Sequence, residues 1–175
     1  MSFRSRMATA VVGLTLLAGC GFRPLYSEPA TGDGVLTDFA AVQISPIADR
    51  LGQSVRNHLL DMLNPRGRPA RPVYRLDVEL KESIQKLAVR QTALATRANL
   101  LVGAEFWLVD SRSGRVVTSG SADVVSSYNL LDSEFATLSA ENDARDQSAL
   151  LIAQDIRARL GIYFAERANA GVSGQ

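Results

Sequence analysis

The sequence predicts an α+β fold, a two-layer sandwich with a four-stranded, mainly antiparallel sheet and two helices on one face. Two segments, over residues 73–85 and 97–109, place apolar side chains at every second position, as strands with a buried face do, and a third, over residues 115–128, follows the pattern less strictly. One segment before them and one after them repeat apolar residues at helical spacing. The predicted order is therefore β-α-β-β-β-α, with both helices packed against the same side of the sheet.

The first strand and the first helix are predicted within residues 39–63. A strand over residues 39–44 is stopped by Pro46, and Asp49 is placed to cap the helix that follows. The side chains expected to face the core are Ala40, Val42 and Ile44 in the strand and Leu51, Val55, Leu59 and Met62 in the helix.

Three long strands are predicted next, over residues 73–85, 97–109 and 115–128. A polar turn over residues 90–96 separates the first two, and a short hairpin turn over residues 110–114 joins the second to the third. The core-facing positions are Tyr74, Leu76, Val78, Leu80 and Ile84 in the first strand and Ala98, Leu100, Val102, Ala104, Phe106 and Leu108 in the second.

The last helix is predicted to begin at Asp132 or Ser133, and Gly161 is expected to kink or end it. Acidic residues lie in its first half, and Arg157 and Arg159 lie toward its end, so the charges suit the helix dipole. Its apolar stripe comprises Ala144, Ala149, Ile152, Ile156, Leu160 and Phe164.

The N-terminal residues have the layout of a bacterial secretory signal. Arg4 and Arg6 precede an apolar run over residues 7–18, too short to span a bilayer, which needs about 20 apolar residues. Leu17-Ala18-Gly19-Cys20 resembles the lipobox of bacterial lipoproteins, in which the cysteine carries a diacylglycerol and an N-acyl chain such as palmitate. We expect residues 1–19 to be a signal peptide, 20–37 a lipidated tether, 38–167 the folded domain and 168–175 a flexible tail.

The composition limits the classes of partner. Without residues 1–19 the chain has 156 residues, with 17 basic and 18 acidic side chains. That balance gives no long-range attraction to nucleic acid or to an anionic membrane surface. Membrane attachment is therefore expected from the lipid on Cys20, which is the only cysteine, so a disulfide is excluded.

The residues that could support catalysis are few. His58 is the only histidine and is expected on the flank of the first helix, and no nucleophile motif or glycine-rich phosphate loop accompanies it. Glu141, Asp143 and Asp146 resemble a metal cluster only in composition, because helical spacing spreads them around the axis. We predict a protein that is not an enzyme and that needs no metal and no cofactor beyond the acyl chains.

One strand carries apolar residues on the face that the helices are not expected to cover. These are Leu101, Trp107 and Val109. Apolar patches of this kind usually mark an interface. A partner protein is therefore the first interpretation, and coverage by the C-terminal tail or the N-terminal tether is the alternative.

Several segments resemble the lipopolysaccharide-assembly lipoprotein family LptE in its alphaproteobacterial form. The segments are Cys20-Gly21-Phe22-Arg23-Pro24-Leu25-Tyr26, Ser127-Tyr128-Asn129, Phe135-Ala136, Ala140-Glu141-Asn142-Asp143-Ala144-Arg145, residues 156–160 and Tyr163-Phe164. The resemblance covers essentially the whole chain after the signal.

The resemblance implies a lipid-anchored protein on the periplasmic side of the outer membrane. Members of the family sit as a plug inside the β-barrel LptD, help that barrel to assemble and help deliver lipopolysaccharide to the outer leaflet. They also bind lipopolysaccharide through basic residues. One such position lies in the turn between the second and third strands, where Arg90 is the nearest match here and Lys86 and Arg97 are close by. A second basic contact lies just before the last helix in the family, but this chain has Leu138-Ser139-Ala140-Glu141 there.

Two other classes compete with this interpretation. An auxiliary lipoprotein of a lipid-trafficking ABC transporter would share the start motif and the fold class, but its partner would be an inner-membrane transport complex. A periplasmic hydrolase would need a nucleophile and a base, for which the sequence offers no motif.

The lipidation of Cys20 is directly testable. Replacing Cys20 by Ala removes the thiol that would be acylated, so we expect loss of lipid labelling and release of the protein from membrane fractions. Metabolic labelling with a palmitate analogue, followed by fractionation, measures both effects. Persistent labelling of the variant would contradict the lipoprotein prediction.

Overall fold

The computed structural model describes residues 32–87 and 97–172, so Cys20 and Arg90 lie outside the described residues. The helices are α1 (Gly32–Ala40), α2 (Asp49–Leu63) and α3 (Glu134–Val172), and the strands are β1 (Val42–Ile44), β2 (Tyr74–Leu87), β3 (Arg97–Asp110) and β4 (Val116–Asn129). None of these helices is long and apolar enough to cross a membrane. The predicted order β-α-β-β-β-α is confirmed, and α1 precedes it.

The four strands form one sheet in the order β1-β2-β3-β4. β1 runs parallel to β2, whereas β2, β3 and β4 are antiparallel neighbours. Tyr74 pairs with Asp110 at one end of the sheet, and Leu87 pairs with Arg97, which also pairs with Asn129, at the other. We call these ends the Tyr74 end and the Leu87 end.

The turn between β3 and β4 fixes the register of these two strands. One oxygen of Asp110, Oδ1, accepts hydrogen bonds from the backbone N–H groups of Arg112 and Ser113, at 3.0 and 2.7 Å, and from the Ser113 hydroxyl at 2.9 Å. The backbone bond from Ser113 is the main cause that lowers the pKa of Asp110. Gly114 has a φ of 69°, a conformation that glycine adopts without a steric penalty.

The core lies between the sheet and the two long helices. The predicted inward-facing residues of β3 and the predicted stripe of α3 are buried, which confirms that the helices cover one face of the sheet. At the Tyr74 end, the Phe164 ring lies 5.6 Å from the Phe39 ring and 5.3 Å from the Tyr74 ring, measured between centroids. The largest fully buried side chains are Phe106, Phe164, Leu59, Leu63, Leu76, Leu100, Leu108, Ile152, Ile156, Leu160, Val42 and Val55.

Two features at the start of the domain differ from the prediction. Residues 32–40 form helix α1, where the sequence predicted the end of the tether and the start of a strand. Phe39 is buried on this helix because its ring packs edge-on against Phe164. The strand is therefore short, and only Val42 and Ile44 of its three predicted core residues face the core from β1.

Three local expectations about the helices and the sheet end were also wrong. Asp49 begins α2 with a φ of 65°, but the cap position is Ala48 and no side-chain hydrogen bond caps the helix. Helix α3 continues through Gly161 to Val172, and Gly161 lies beside the Phe39 ring, with which an added Cβ would make an ordinary contact at 3.5 Å. Ile84 is exposed, since α2 begins beside Val78 and Leu80 and does not extend along β2 as far as Ile84.

Burial of the α3 stripe predicts a difference between two isoleucines on the same helix. Ile156 is 0% exposed and Ile162 is 60% exposed. Ile156→Ala should lower the free energy of unfolding by about 2–5 kcal/mol, because it leaves a cavity in the core. Ile162→Ala is the control and should change it by less than about 0.5 kcal/mol. Urea unfolding followed by circular dichroism measures both, and equal effects would contradict the packing described above.

Candidate functional site

The start of helix α3 is fixed by hydrogen bonds to the segment that follows β4. The Thr137 hydroxyl accepts a bond from the backbone N–H of Leu131 at 2.9 Å and donates one to its carbonyl oxygen at 3.1 Å. The Ser133 hydroxyl accepts a bond from the backbone N–H of Ala136 at 3.4 Å, as a residue that caps a helix does. Of the two predicted cap residues, Asp132 and Ser133, it is Ser133 that bonds to the helix backbone. These bonds set the direction in which α3 leaves the Leu87 end.

Further along α3, a cluster of four polar side chains joins the helix to the sheet. Arg145 Nε contacts Glu82 Oε1 on β2 at 2.9 Å, and Arg145 Nη2 contacts Glu141 Oε1, one turn earlier on α3, at 2.6 Å. The Tyr128 hydroxyl on β4 donates to Glu141 Oε2 at 3.1 Å. Arg145 therefore bridges the helix to β2, while Glu141 bridges it to β4. We call these residues the Arg145 cluster.

The hydrogen bonds within the Arg145 cluster favour a charged Arg145 and a neutral Tyr128. Partial burial acts to lower the pKa of Arg145, but its hydrogen bonds to Glu82 and Glu141 outweigh that effect and raise the pKa overall. Burial, and then the hydrogen bond to Glu141, raise the pKa of Tyr128, so the tyrosine stays neutral and keeps its proton for Glu141. Glu141 is one of the three acidic residues that resemble a metal cluster in composition. Its carboxylate is thus already bonded to Arg145 and Tyr128.

The described basic residues of the predicted lipopolysaccharide site lie on opposite faces of the sheet. Lys86 pairs with Ala98, which is buried under the helix layer, so Lys86 lies on the helix side. Arg97 pairs with Leu87 and Asn129. It directly precedes Ala98 on β3, and successive side chains of a strand lie on opposite faces, so Arg97 lies on the side away from the helices. Both side chains are exposed, and neither forms an ion pair with another described residue. Arg90 belongs to the segment between them, outside the described residues.

The Leu87 end also carries exposed apolar side chains that the sequence analysis did not single out as a surface. Phe135 is 81% exposed, although it belongs to the first turn of α3. Phe135 and Leu138 are three residues apart, so they are neighbours on the helix surface, and neither belongs to the buried stripe. This spacing is the feature of the sequence from which the apolar surface could have been predicted. The exposed apolar residues at this end are Ile84, Leu87, Leu131, Phe135 and Leu138.

The residues of the predicted partner interface lie on the sheet face that faces away from the helices. Leu101 and Trp107 are half-buried, and Val109 is buried even though it is not part of the main core. Trp107 and Val109 border an open depression of about 580 Å³ together with Val116. The exposed Val125, which pairs with Leu101 across β3 and β4, extends the apolar surface. We call this surface the outer sheet face.

The described residues bring together no arrangement suited to a metal. No group of three or more histidine, cysteine or carboxylate side chains within residues 32–87 and 97–172 could hold a metal ion. His58 is half-buried on α2. Asp146 accepts a hydrogen bond from the Ser54 hydroxyl at 3.2 Å, which links α3 to α2.

Comparison with known proteins assigns the chain to a family. A family model for LptE, described as lipopolysaccharide-assembly, matches residues 39–160, which span β1 to most of α3. The chain belongs to the LptE family. The family match covers the Arg145 cluster and the outer sheet face, so both lie within the LptE domain.

The chain is also similar to individual proteins. A protein of Rickettsia prowazekii (strain Madrid E), RP188, is 23% identical over 152 residues, covering 87% of this chain and 93% of the relative. A crystal structure of a protein described as a lipoprotein from Caulobacter crescentus CB15 is 25% identical, with a TM-score of 0.63, and covers 76% of this chain and 97% of that one. The rare lipoprotein B of Shewanella oneidensis is 13% identical with a TM-score of 0.49, covering 75% and 96%.

The Arg145 cluster predicts unequal effects of removing two arginines from the same helix. Arg145 is 26% exposed and pairs with two carboxylates, whereas Arg159 is 49% exposed and pairs with Asp155 alone, at 3.0 Å. Arg145→Ala should lower the free energy of unfolding by about 1–3 kcal/mol, because it leaves the half-buried carboxylates of Glu82 and Glu141 without a cation, with only the Tyr128 hydroxyl still bonded to Glu141. Arg159→Ala, the matched control, should cost about 0.5 kcal/mol or less.

Urea unfolding of both variants measures the difference. Equal losses would show that Arg145 forms an ordinary surface ion pair. A larger loss for Arg145→Ala, reduced when Glu82 and Glu141 are changed to Gln as well, would demonstrate coupling within the cluster.

Proposed function

We propose that this protein is an outer-membrane lipoprotein that binds and plugs the β-barrel LptD, assists its assembly and helps insert lipopolysaccharide into the outer leaflet. The observation that carries the proposal is the outer sheet face, which is apolar in part although the helices already complete the core on the other side. Membership of the LptE family supports the assignment to lipopolysaccharide assembly, and it favours this function over that of an ABC-transporter lipoprotein.

The chemistry of the outer sheet face suits the inside of a barrel. The lumen of an outer-membrane barrel is polar, so a plug needs a surface of mixed character. Between the apolar residues of this face lie the ion pairs Arg75–Asp77, at 3.1 Å, and Lys81–Glu105, at 3.6 Å. The Ser127 hydroxyl also donates to Asn99 Oδ1 at 2.7 Å. Such pairs can exchange partners with a polar wall, while Trp107 supplies the large apolar contact that often carries interface energy.

The lipid on Cys20 would hold the protein at the periplasmic side of the outer membrane. Each buried methylene contributes about 0.8 kcal/mol, and one acyl chain alone binds only marginally, so a diacylglycerol with an added N-acyl chain anchors far more firmly. The anchor and the barrel contact are then separate attachments, one to the membrane and one to the partner.

The Leu87 end would contact lipopolysaccharide. Arg90 lies in the segment that joins β2 to β3, and Lys86 and Arg97 flank that segment on opposite faces of the sheet. Guanidinium and ammonium groups form charge-assisted hydrogen bonds with phosphates. The exposed Phe135 and Leu138 at the same end offer apolar surface to acyl chains.

A pair of variants tests the two contacts separately. Trp107→Ala should weaken co-purification of LptD from solubilised envelopes, because it removes the largest side chain of the outer sheet face. Arg90→Asp should leave co-purification unchanged and weaken binding of lipopolysaccharide to the purified protein at low salt, where exposed charge contacts are strongest. Each variant serves as the control for the other.

Stability measurements decide how a loss is interpreted. Trp107→Ala should weaken complex formation more than it lowers the free energy of unfolding of the isolated protein. A Trp107→Ala variant that remains fully bound to LptD would contradict the partner role of this face. Unchanged lipopolysaccharide binding by Arg90→Asp would remove Arg90 from the lipid contact.

A further inference from the structure

A small cavity lined by arginines lies at the junction of α2, β1 and the loop that leads to β2. Its volume is about 140 Å³, and Gln43, Arg56, Asn64 and Arg68 border it together with Pro69 and Pro72. No carboxylate is among the side chains that line it. The cavity is distant in the sheet from the Leu87 end, because the loop over residues 64–73 enters β2 at Tyr74.

Two buried polar atoms around this cavity have no hydrogen-bond partner among the described residues. They are the donor Arg56 Nε and the acceptor Asn64 Oδ1. Asn64 is only 6% exposed, and its Nδ2 donates to the Phe39 carbonyl oxygen at 3.3 Å. An arginine stays charged at any ordinary pH, so a buried Nε–H without an acceptor costs free energy. A ligand in the cavity that accepts from Arg56 Nε and donates to Asn64 Oδ1 would remove this cost.

The local charge favours an anion as that ligand. The loop over residues 64–73 contributes Arg66, Arg68 and Arg71 and no acidic residue. None of these three, nor Arg56, belongs to the ion pairs found within the described residues. Elsewhere in the domain, Arg75, Arg145 and Arg159 each have a carboxylate partner. Two arginines without such partners, Arg56 and Arg68, therefore line one cavity, and Arg66 and Arg71 belong to the same loop as Arg68.

The loop that supplies Arg68 is conformationally restricted. Pro65, Pro69 and Pro72 fix φ at three positions, and Gly67, with a φ of 103°, allows the turn in which its N–H bonds to the Asn64 carbonyl oxygen at 2.9 Å. A restricted loop loses little conformational entropy when a ligand binds. The backbone that carries Arg68 is thus fixed beside the cavity before an anion arrives.

We propose that this cavity binds a phosphate group between Arg56 and Arg68. Guanidinium groups bind phosphate oxygens through paired, charge-assisted hydrogen bonds. A singly protonated phosphate also has an O–H that it can donate to an acceptor such as Asn64 Oδ1. One ligand of this class therefore satisfies the unpaired donor and the unpaired acceptor together, which a fully ionised sulfate does not.

The phosphate can come from a free phosphate ester or from a lipid headgroup. A larger groove of about 550 Å³ borders the other side of Asn64, where Leu36, Phe39 and Met62 line it. A phosphorylated lipid could place its headgroup in the arginine cavity and an acyl chain in this groove. The experiment therefore has one arm for each source.

Isothermal titration calorimetry on the full-length protein in neutral detergent tests the proposal. Inorganic phosphate is the first titrant, and micelles containing phosphatidic acid are the second, with phosphatidylcholine micelles for comparison. We expect saturable binding of inorganic phosphate, of phosphatidic acid or of both, and none of phosphatidylcholine, whose phosphate is a diester and has no O–H to donate. Binding of inorganic phosphate alone identifies a free ester as the source, and tighter binding of phosphatidic acid identifies a lipid headgroup.

Matched variants show whether the arginine cavity is responsible. Arg68→Gln is the main variant, because Arg68 is exposed on a loop and its loss leaves the core intact. It should weaken binding about tenfold or more, which corresponds to about 1.4 kcal/mol, and Arg56→Gln should do the same. Arg115→Gln changes the net charge equally at an exposed position that does not line the cavity.

Several outcomes would overturn the proposal. They are an absence of saturable binding by the unmodified protein, unchanged binding by Arg68→Gln, and an equal loss with Arg115→Gln, which would show that only net charge matters. Thermal unfolding of each variant checks that the fold is retained. If Arg56→Gln unfolds, the comparison of Arg68→Gln with Arg115→Gln decides the question alone.

Discussion

The packing of one long helix against one face of the sheet is the contact on which the rest of the structure depends. Helix α3 has 39 residues and runs from the Leu87 end to the Tyr74 end, so its apolar stripe crosses the inner face of β3 and β4. Ile152, Ile156 and Leu160 are fully buried by this contact. Because both long helices lie on the same side, the opposite face of the sheet has no cover within the described domain.

This one-sided arrangement separates three surfaces with different chemistry. The outer sheet face combines Trp107 with ion pairs, the Leu87 end combines basic side chains with exposed apolar ones, and the α2–β2 loop concentrates arginines. The Arg145 cluster holds the start of α3 to β2 and β4. It therefore fixes where Phe135 and Leu138 lie relative to Lys86 and Arg97, although it contacts none of them.

The sequence predicted the parts of the fold that depend on a long, regular pattern. Alternation over β2 and β3 and the stripe of α3 repeat enough times to outweigh any single exception. Short or interrupted patterns were less informative: α1 contains two glycines, and Gly161 was expected to kink or end a helix that in fact continues through it to Val172. Ile84 follows the alternation correctly, but alternation shows only which face a side chain is on and not how far the helices extend.

The candidate surfaces were only partly predictable for the same reason. Strand alternation placed Leu101, Trp107 and Val109 on the outer sheet face, but it did not show that Val109 is buried there, beside a register shift between Leu108 and Val109. Lys86 and Arg97 are close in sequence to Arg90, yet antiparallel pairing puts them on opposite faces. The arginine cavity was not predicted, because Arg56 on α2 and Arg68 in the following loop meet only when the chain turns back toward β1.

The position of α3 at the end of the chain also determines when the domain can be completed. The inner face of β3 is fully apolar from Ala98 to Leu108, and it has no helix to bury it until residues 134–164 have been made. Proteins with transiently exposed apolar surface aggregate readily. A chain that is still being made therefore carries an uncovered inner face from the completion of β3 at Asp110 until α3 follows. Its safe folding depends on keeping the unfinished chain apart from its neighbours until the last helix closes over the strands.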